Sequence, residues 1–473
     1  MKSTKLIKVI ERLSKADLKR FKEFVYSPFF RAGKTEQDLF DFIYKYAPDF
    51  THKKFTSEAA ATHVFTGGKY DNTALTKAQS RLFKLLELFI YYSIKNNDLS
   101  DMESVLMKFY DTENLSAQVE STYKKNQKKQ ATFQHRDLAY YYNQLVVEKQ
   151  YSIFLGRKFE DNRGDGHLQK VIITLDVFYL REKLLQMCEI LNRKERIKVT
   201  YEVILMDEIL AFLKDSSYRQ IPIIAIWYTA FLLLNSTEKN EYYHQLNDLL
   251  NTHGKLLDDT DKRVLYTYLE NSTNMVFSGD AYYEALWELY STQLENEVIY
   301  IEGYLSPTIF KNIVTVALRL GHLDWTEAFL EKNKGKIVPE YEGREDVYSY
   351  SMAQLYFKQK KNDDVLSLLN QTVFNDIYTK MDVRRMYMKV YYEMEYSDMF
   401  EDMVNSFRSF LHENQHIPAL HIQAHRDFVN TAYNIYRTIK KETERIEKIT
   451  EQIAEIQILP EKTWLLEKLE ALG

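Results

Sequence analysis

Seven prolines and thirteen glycines are all that punctuate 473 residues. So few turn-formers suit a β-sandwich or barrel badly, because each of its many short strands must end in a turn that such residues supply. Thirty-six tyrosines and 27 phenylalanines provide large packing surfaces instead. The expected class is all-α, with long helices packed through aromatic rings.

The length allows two or more ordinary domains or one extended repeat array, with a sizeable core in either case. In the first hundred residues Leu6, Val9, Ile10 and Leu13 follow the i, i+3, i+4, i+7 rule, and Leu39, Phe42, Ile43 and Tyr46 repeat it. Between them Ser14, with Asp17 three residues on, predicts a capped helix through Leu18, Phe21 and Val25 that stops near Tyr26. Pro28 drives Ser27 out of helical geometry. Thr35, with Asp38 three residues on, predicts the next cap, which leaves SPFFRAGK as a connector. Its Phe29 and Phe30 are expected to turn inward against Phe21, Val25, Phe42 and a spine helix over 72–96. That spine carries Leu75, Ala78, Leu82, Leu85 and Phe89 on one stripe.

Further helices are expected over 101–155, ending in the polar, glycine-bearing segment 156–170. The predicted organisation is a compact N-terminal helical domain (1–100), connecting helices (101–160) and a tetratricopeptide-like domain (168–473). The apolar run 221–234 is too short to cross a bilayer, which needs about 20 residues, and reads as a buried core helix. The amino terminus interrupts its apolar residues with Lys5, Lys8, Glu11 and Arg12, so no signal-peptide core is present. Cys188, the single cysteine, excludes an intramolecular disulfide, and a cytoplasmic setting is expected.

Four segments of the second half, 278–290, 320–332, 360–370 and 396–405, each place a short polar turn before a helix. With Ala285, Ala328, Val365 and Phe400 taken as equivalent, the spacing is that of helix hairpins. QLYFKQKKNDDVLSLLN (354–370) lies over KVYYEMEYSDMFEDMVN (389–405) without a gap. A lone hairpin cannot bury its apolar face, so neighbours stack and leave a surface on which other molecules can lie. The terminal segment 458–472 is expected to cap the array through Trp464, Leu465 and Leu469. LSKADLKRFKEFVYSPFF near the start, EGYLSPTIFKNIVTVALRLGHLDWTEAFLEK (302–332) and the closing WLLEKLEAL resemble a family of uncharacterised bacterial helical-repeat proteins. The resemblance covers nearly the whole chain and implies a tetratricopeptide-like α-solenoid. It brings no activity, cofactor or site residues.

Chemistry-bearing patterns are sparse. Asp161, Asp165 and Gly166 imitate the start of a calcium loop, but Arg163 and Ile172 stand at ligand positions. Arg163-Gly164-Asp165 is a chance adhesion tripeptide, and Gly67-Gly68-Lys69 lacks a phosphate loop's upstream glycine. His412 and His416 are four apart, as are His421 and His425, and His412-Glu413-Asn414-Gln415-His416 matches the zinc-protease pattern. Pro418 should leave His416 at a helix end, so the four histidines are expected to be solvated or capping. The rival reading is a metal-dependent enzyme with Glu413 as general base. No nucleophile elbow is present, and Cys188 lies in an apolar helical context.

The formal charge of −5 favours neither a dedicated nucleic-acid binder nor an acidic tail. Residues 1–35 nevertheless carry ten Lys or Arg against three acids, and 123–142 mixes four lysines with aromatics. Hence a second rival, a ligand-sensing regulator whose basic N-terminal domain contacts nucleic acid. The acidic stretch 280–302, with Glu284 and Glu288, could receive a basic peptide. In SPTIFKNIVTVALRLG, packing of Phe310, Ile313, Ala317 and Leu320 would leave Lys311, Asn312, Thr315 and Arg319 on a groove. The preferred reading is a non-enzymatic, cofactor-free scaffold that binds a protein or peptide partner in that groove, without a membrane role.

Overall fold

The computed structural model describes all residues except 2, 31, 49, 66–71, 96–101, 158–163, 195–200, 415, 439–441, 457 and 473. The calcium-like Asp161 and Arg163, Gly67-Gly68-Lys69 and Gln415 therefore lie outside the described residues. Among the described residues there are 23 α-helices and no strand; Ile301–Tyr304 and Leu305–Ile337 form isolated bridges. No helix among them is long and apolar enough to cross a membrane.

The chain divides into two compact units, 1–133 with 138–178, and 134–137 with 179–473. The first contains α1 (Lys5–Ile10), α2 (Lys15–Tyr26), α3 (Lys34–Tyr44), α4 (Ser57–Val64), α5 (Asn72–Lys95), α6 (Met102–Thr112), α7 (Ser116–Thr132), α8 (Leu138–Arg157) and the start of α9 (Gly164–Lys194). In α2, Ser14 Oγ accepts from Asp17 N–H at 3.0 Å and donates to Asp17 Oδ2 at 2.6 Å, and the helix ends at Tyr26 as Pro28 requires. Leu75, Ala78, Leu82, Leu85 and Phe89 of α5 are buried, so this helix is the expected spine.

Two local expectations need correction. Helix α3 begins at Lys34 with Gly33 as N-cap, so Thr35 lies inside the helix. The reason is Glu36, whose buried carboxylate accepts from Arg81 Nε and folds back over the cap. A Cβ at Gly33 would stand 2.6 Å from Glu36 Oε2, so any other residue there would have to displace that carboxylate. Of the two connector rings, Phe30 turns inward and stacks on Phe24 at 3.7 Å, but Phe29 is 79% exposed. One ring fills the groove between α2 and Tyr92 of α5, and none of it remains for the second.

The second unit holds the rest of α9 and α10 (Met206–Asp215), α11 (Pro222–Asn235), α12 (Lys239–His253), α13 (Asp259–Val276) and α14 (Asp280–Glu295). It continues with α15 (Pro307–Arg319), α16 (Leu323–Asn333), α17 (Arg344–Lys358), α18 (Asn362–Gln371), α19 (Ile377–Glu393), α20 (Ser397–Glu413), α21 (Ala419–Tyr436), α22 (Thr443–Glu455) and α23 (Lys462–Glu470). Helix α11, from the apolar run, is buried on nearly all sides, and Cys188 Sγ–H points at Trp227 O on it from 3.8 Å.

Helices α15 and α16, α17 and α18, and α19 and α20 pack as hairpins, and α15, α17 and α19 also pack on one another in that order. All three hairpins turn in the same way. Gly321, Lys360 and Glu395 take left-handed backbone (φ 80°, 61° and 57°). The next amide reaches back five residues in each: His322 N–H to Ala317 O, Lys361 N–H to Tyr356 O and Tyr396 N–H to Tyr391 O, all 2.9 Å. This 6→1 bond is the signature of a Schellman stop. It sets a common register for the three hairpins, and it corrects one equivalence. Five residues past the left-handed position come Thr326, Val365 and Phe400, all fully buried, whereas Ala328 faces solvent.

Candidate functional site

The turn register sorts the first helix of each hairpin into rows. Ten residues before the left-handed position stand Lys311, Tyr350 and Arg385; six before, Thr315, Gln354 and Lys389; two before, Arg319, Lys358 and Glu393. Within each helix the three are four apart and so share a face. All nine line one cavity of about 870 Å³ in the second unit. Asn312 lines it as well, so every groove position expected on α15 is there. The opposite sides of these helices are core: Phe310, Ile313 and Ala317 are fully buried, as are Leu355 and Val390.

The cavity's remaining wall is the segment from Leu459 to Lys468, at the start of α23. Trp464, Leu465 and Leu469 are buried in one apolar cluster with residues of α19, α20, α21 and α22. Their neighbours turn toward the groove. Lys389 Nζ donates to Glu461 Oε2 at 2.8 Å. Glu393 Oε1 accepts from Trp464 Nε1 at 2.8 Å and pairs with Lys468 Nζ at 2.6 Å. Deeper in, Asp382 accepts from Lys311 Nζ at 2.7 Å and from Arg385. Burial would raise the Glu461 carboxyl, but Lys389 and then Arg385 outweigh it and bring it down to about 2. Burial likewise holds the Tyr350 hydroxyl well above its ordinary value.

Comparison with family models, curated proteins and solved structures finds no match. The chemistry of the cavity must be read from its own residues.

Eight lysines and arginines line it against four carboxylates. Asp382, Glu393 and Glu461 are already engaged by cations of the wall. Lys358, Lys360 and Lys462 form no ion pair among the described residues, and Arg319 reaches only the exposed Asp280, at 3.1 Å. Arg319 Nε, Arg385 Nε and Gln354 Oε1 are buried without a hydrogen-bond partner among the described residues. Partial burial and then Lys389 lower the pKa of Lys358, with Glu467 and Glu461 opposing and Arg319 assisting, so the cations prevail at this position. Aromatic rings of Tyr283, Tyr350, Phe357 and Trp464 supply apolar wall. The cavity can thus hold an anionic ligand through salt links and pack its uncharged part on rings.

The other candidates are not brought together. Glu284 and Glu288 are exposed on α14 and do not line the cavity. His412 lies in the last turn of α20, His416 in the turn before Pro418, and His421 and His425 on α21, so the metalloprotease-like pattern is not on one helix. Among the described residues no three His, Cys, Asp or Glu side chains converge as a metal site. His425 is buried against Phe407, and burial lowers its pKa to about 4; the other three are exposed. The basic, aromatic segment 123–142 splits between α7 and α8. Its Tyr123 is buried face to face on Tyr151 at 3.8 Å and hydrogen-bonds to Glu148, so that ring offers no platform for a base.

Sequence reading missed Gln354, Lys358, Arg385 and Lys389, and the wall at 459–468. The signal for the first four was present: the gapless match of 354–370 to 389–405 carries the α15 groove positions onto α17 and α19 once the turns set the register.

Proposed function

We propose that this chain is a non-enzymatic helical-repeat scaffold that binds a protein or peptide partner in the groove of its second unit. In this reading a compact N-terminal helical domain (1–100) and connecting helices (101–160) precede a tetratricopeptide-like solenoid (168–473) that works in the cytoplasm. One observation carries it: three consecutive hairpins present residues from the same three repeat positions to one cavity. A repeat surface of that kind suits an extended ligand, because each hairpin offers the next stretch of chain a similar set of contacts. The matching Schellman turns and the packing of α15 on α17 and α17 on α19 support the solenoid part of the reading.

The test is selection of binders from a displayed peptide library on the full chain, followed by calorimetry with the wild type and Thr315→Trp. Thr315 is an exposed residue at the middle of the α15 face, so an indole there fills the groove without touching the core. Selected peptides should bind the variant at least tenfold more weakly while its helical circular dichroism is unchanged. Equal binding to both proteins, or a library that yields no binder, would sink the reading.

A further inference from the structure

Resting on that reading of the groove, we propose that the partner segment it receives is acidic, and that it lies beside the chain's own Glu461–Glu467 stretch with Arg319 and Lys358 as its receiving cations. The wall at 459–468 is itself a demonstration of what this face accepts. It is a short piece of polypeptide whose carboxylate, Glu461, is taken up by Lys389 at 2.8 Å and lies close to Arg385. Lys389 comes from the middle row of the groove. The row next to it, two residues before each turn, carries Arg319 on α15 and Lys358 on α17, and only its third member, Glu393, is acidic. That carboxylate is occupied by Trp464 and Lys468.

The wall therefore engages Lys389 of α19 directly, while Lys358 on α17 feels Glu467 and Glu461 only at longer range and Arg319 on α15 is met only by the exposed Asp280. Among the described residues Lys358 forms no ion pair, and the buried Nε of Arg319 has no acceptor. A second acidic segment continuing across α17 and α15 would supply both. Charge complementarity of this type sets register and selects against basic or neutral competitors more than it adds raw affinity. The lowered pKa of Lys358 fits: burial and then Lys389 disfavour its charge more than Glu467 and Glu461 favour it, and an incoming carboxylate would relieve the balance.

The experiment is fluorescence anisotropy with labelled octaglutamate on the full chain, with an alternating glycine-serine octapeptide, inorganic pyrophosphate and ATP as further probes. Lys358→Glu tests the site and Lys358→Gln is its milder companion. Lys149→Glu, an exposed lysine of the first unit, controls for net charge. Octaglutamate should bind, and should weaken at least tenfold for Lys358→Glu, several-fold for Lys358→Gln and less than twofold for Lys149→Glu. Raising salt from about 50 to about 300 mM should weaken it further. Equal loss in Lys358→Glu and Lys149→Glu would overturn the assignment, as would tighter binding of pyrophosphate or ATP than of octaglutamate, which would mark a small-phosphate site. Binding of the glycine-serine peptide as tightly as octaglutamate would overturn the acidic specificity and leave the scaffold reading standing. If library-selected peptides also fail to bind, both readings fall together.

Discussion

Lys389 Nζ and Glu461 Oε2 meet at 2.8 Å across 72 residues of sequence, and the pair ties the end of the chain to the third first-helix of the groove. Lys389 is buried and Glu461 largely so, and removing one partner leaves the other without compensation. Glu461→Gln is expected to lower unfolding free energy by about 3 kcal/mol at pH 7, read from urea denaturation. Because the folded carboxyl titrates at about 2, below its ordinary value of 4.5, its contribution is present above pH 4.5 and is lost as pH falls toward 2. The difference between variant and wild type should shrink over that window. A variant as stable as the wild type at pH 7 would show that the wall is held by its apolar contacts alone.

The left-handed turn residues give a backbone test that touches no cavity contact. Glu395 bears a Cβ in a conformation that glycine adopts without cost, so Glu395→Gly should stabilise the chain by about 0.5–1 kcal/mol. Gly321 occupies the equivalent place, and a Cβ there would meet nothing within 4 Å. Gly321→Ala should therefore cost about 1–2 kcal/mol through backbone strain alone. Thermal unfolding of the two variants checks both signs; shifts in the same direction would contradict the shared turn geometry.

Glu270, on α13, is a partly buried acid whose neighbour Gln293 donates to it at 2.8 Å. Burial raises its carboxyl to about 7 against an ordinary 4.5, only partly offset by that hydrogen bond. The folded state holds this proton more tightly than the unfolded chain does. Its contribution is complete below pH 4.5 and is lost as pH rises through 7. Glu270→Gln should match the wild type near pH 4.5 and exceed it by about 2–3 kcal/mol at pH 8, in parallel urea titrations. A constant difference across that range would rule out the raised carboxyl.

His425 should behave in the opposite direction. Burial, with help from the Arg385 charge, lowers its pKa to about 4, so it is neutral in the fold. The folded state resists protonation that the unfolded chain accepts at 6.5. Stability from this group is present above pH 6.5 and lost as pH falls through 4. His425→Phe should remove that part of the acid destabilisation, which amounts to about 3 kcal/mol across the window. An unchanged acid limb in the variant would contradict the assignment.

The all-helical class, the spine at 72–95, the capped α2 and the buried α11 were legible because each rests on local signals: periodicity, a Ser–Asp cap, a proline stop. The α15 groove positions were legible for the same reason, since Phe310, Ile313 and Ala317 fix which face is buried. What escaped was non-local. Gly33 leaves room for the Glu36 carboxylate, and the placement of that carboxylate involves Arg81 from another helix. Phe29 is exposed because Phe30 takes the one place beside Phe24. Ala328 was aligned on residue type, whereas the register is set by backbone handedness at Gly321, Lys360 and Glu395. Two of those three residues give no compositional hint of a left-handed turn. The wall at 459–468 reads as a capping helix from its apolar residues, and its polar face acquires meaning only once α19 is opposite.

Hydrogen–deuterium exchange of the full chain, with and without a library-selected peptide at saturation, locates the binding surface most directly. The expected result is protection concentrated in 307–319, 344–358 and 377–393, together with 459–468. Protection confined to other segments, with these four unchanged, would contradict the groove as the site.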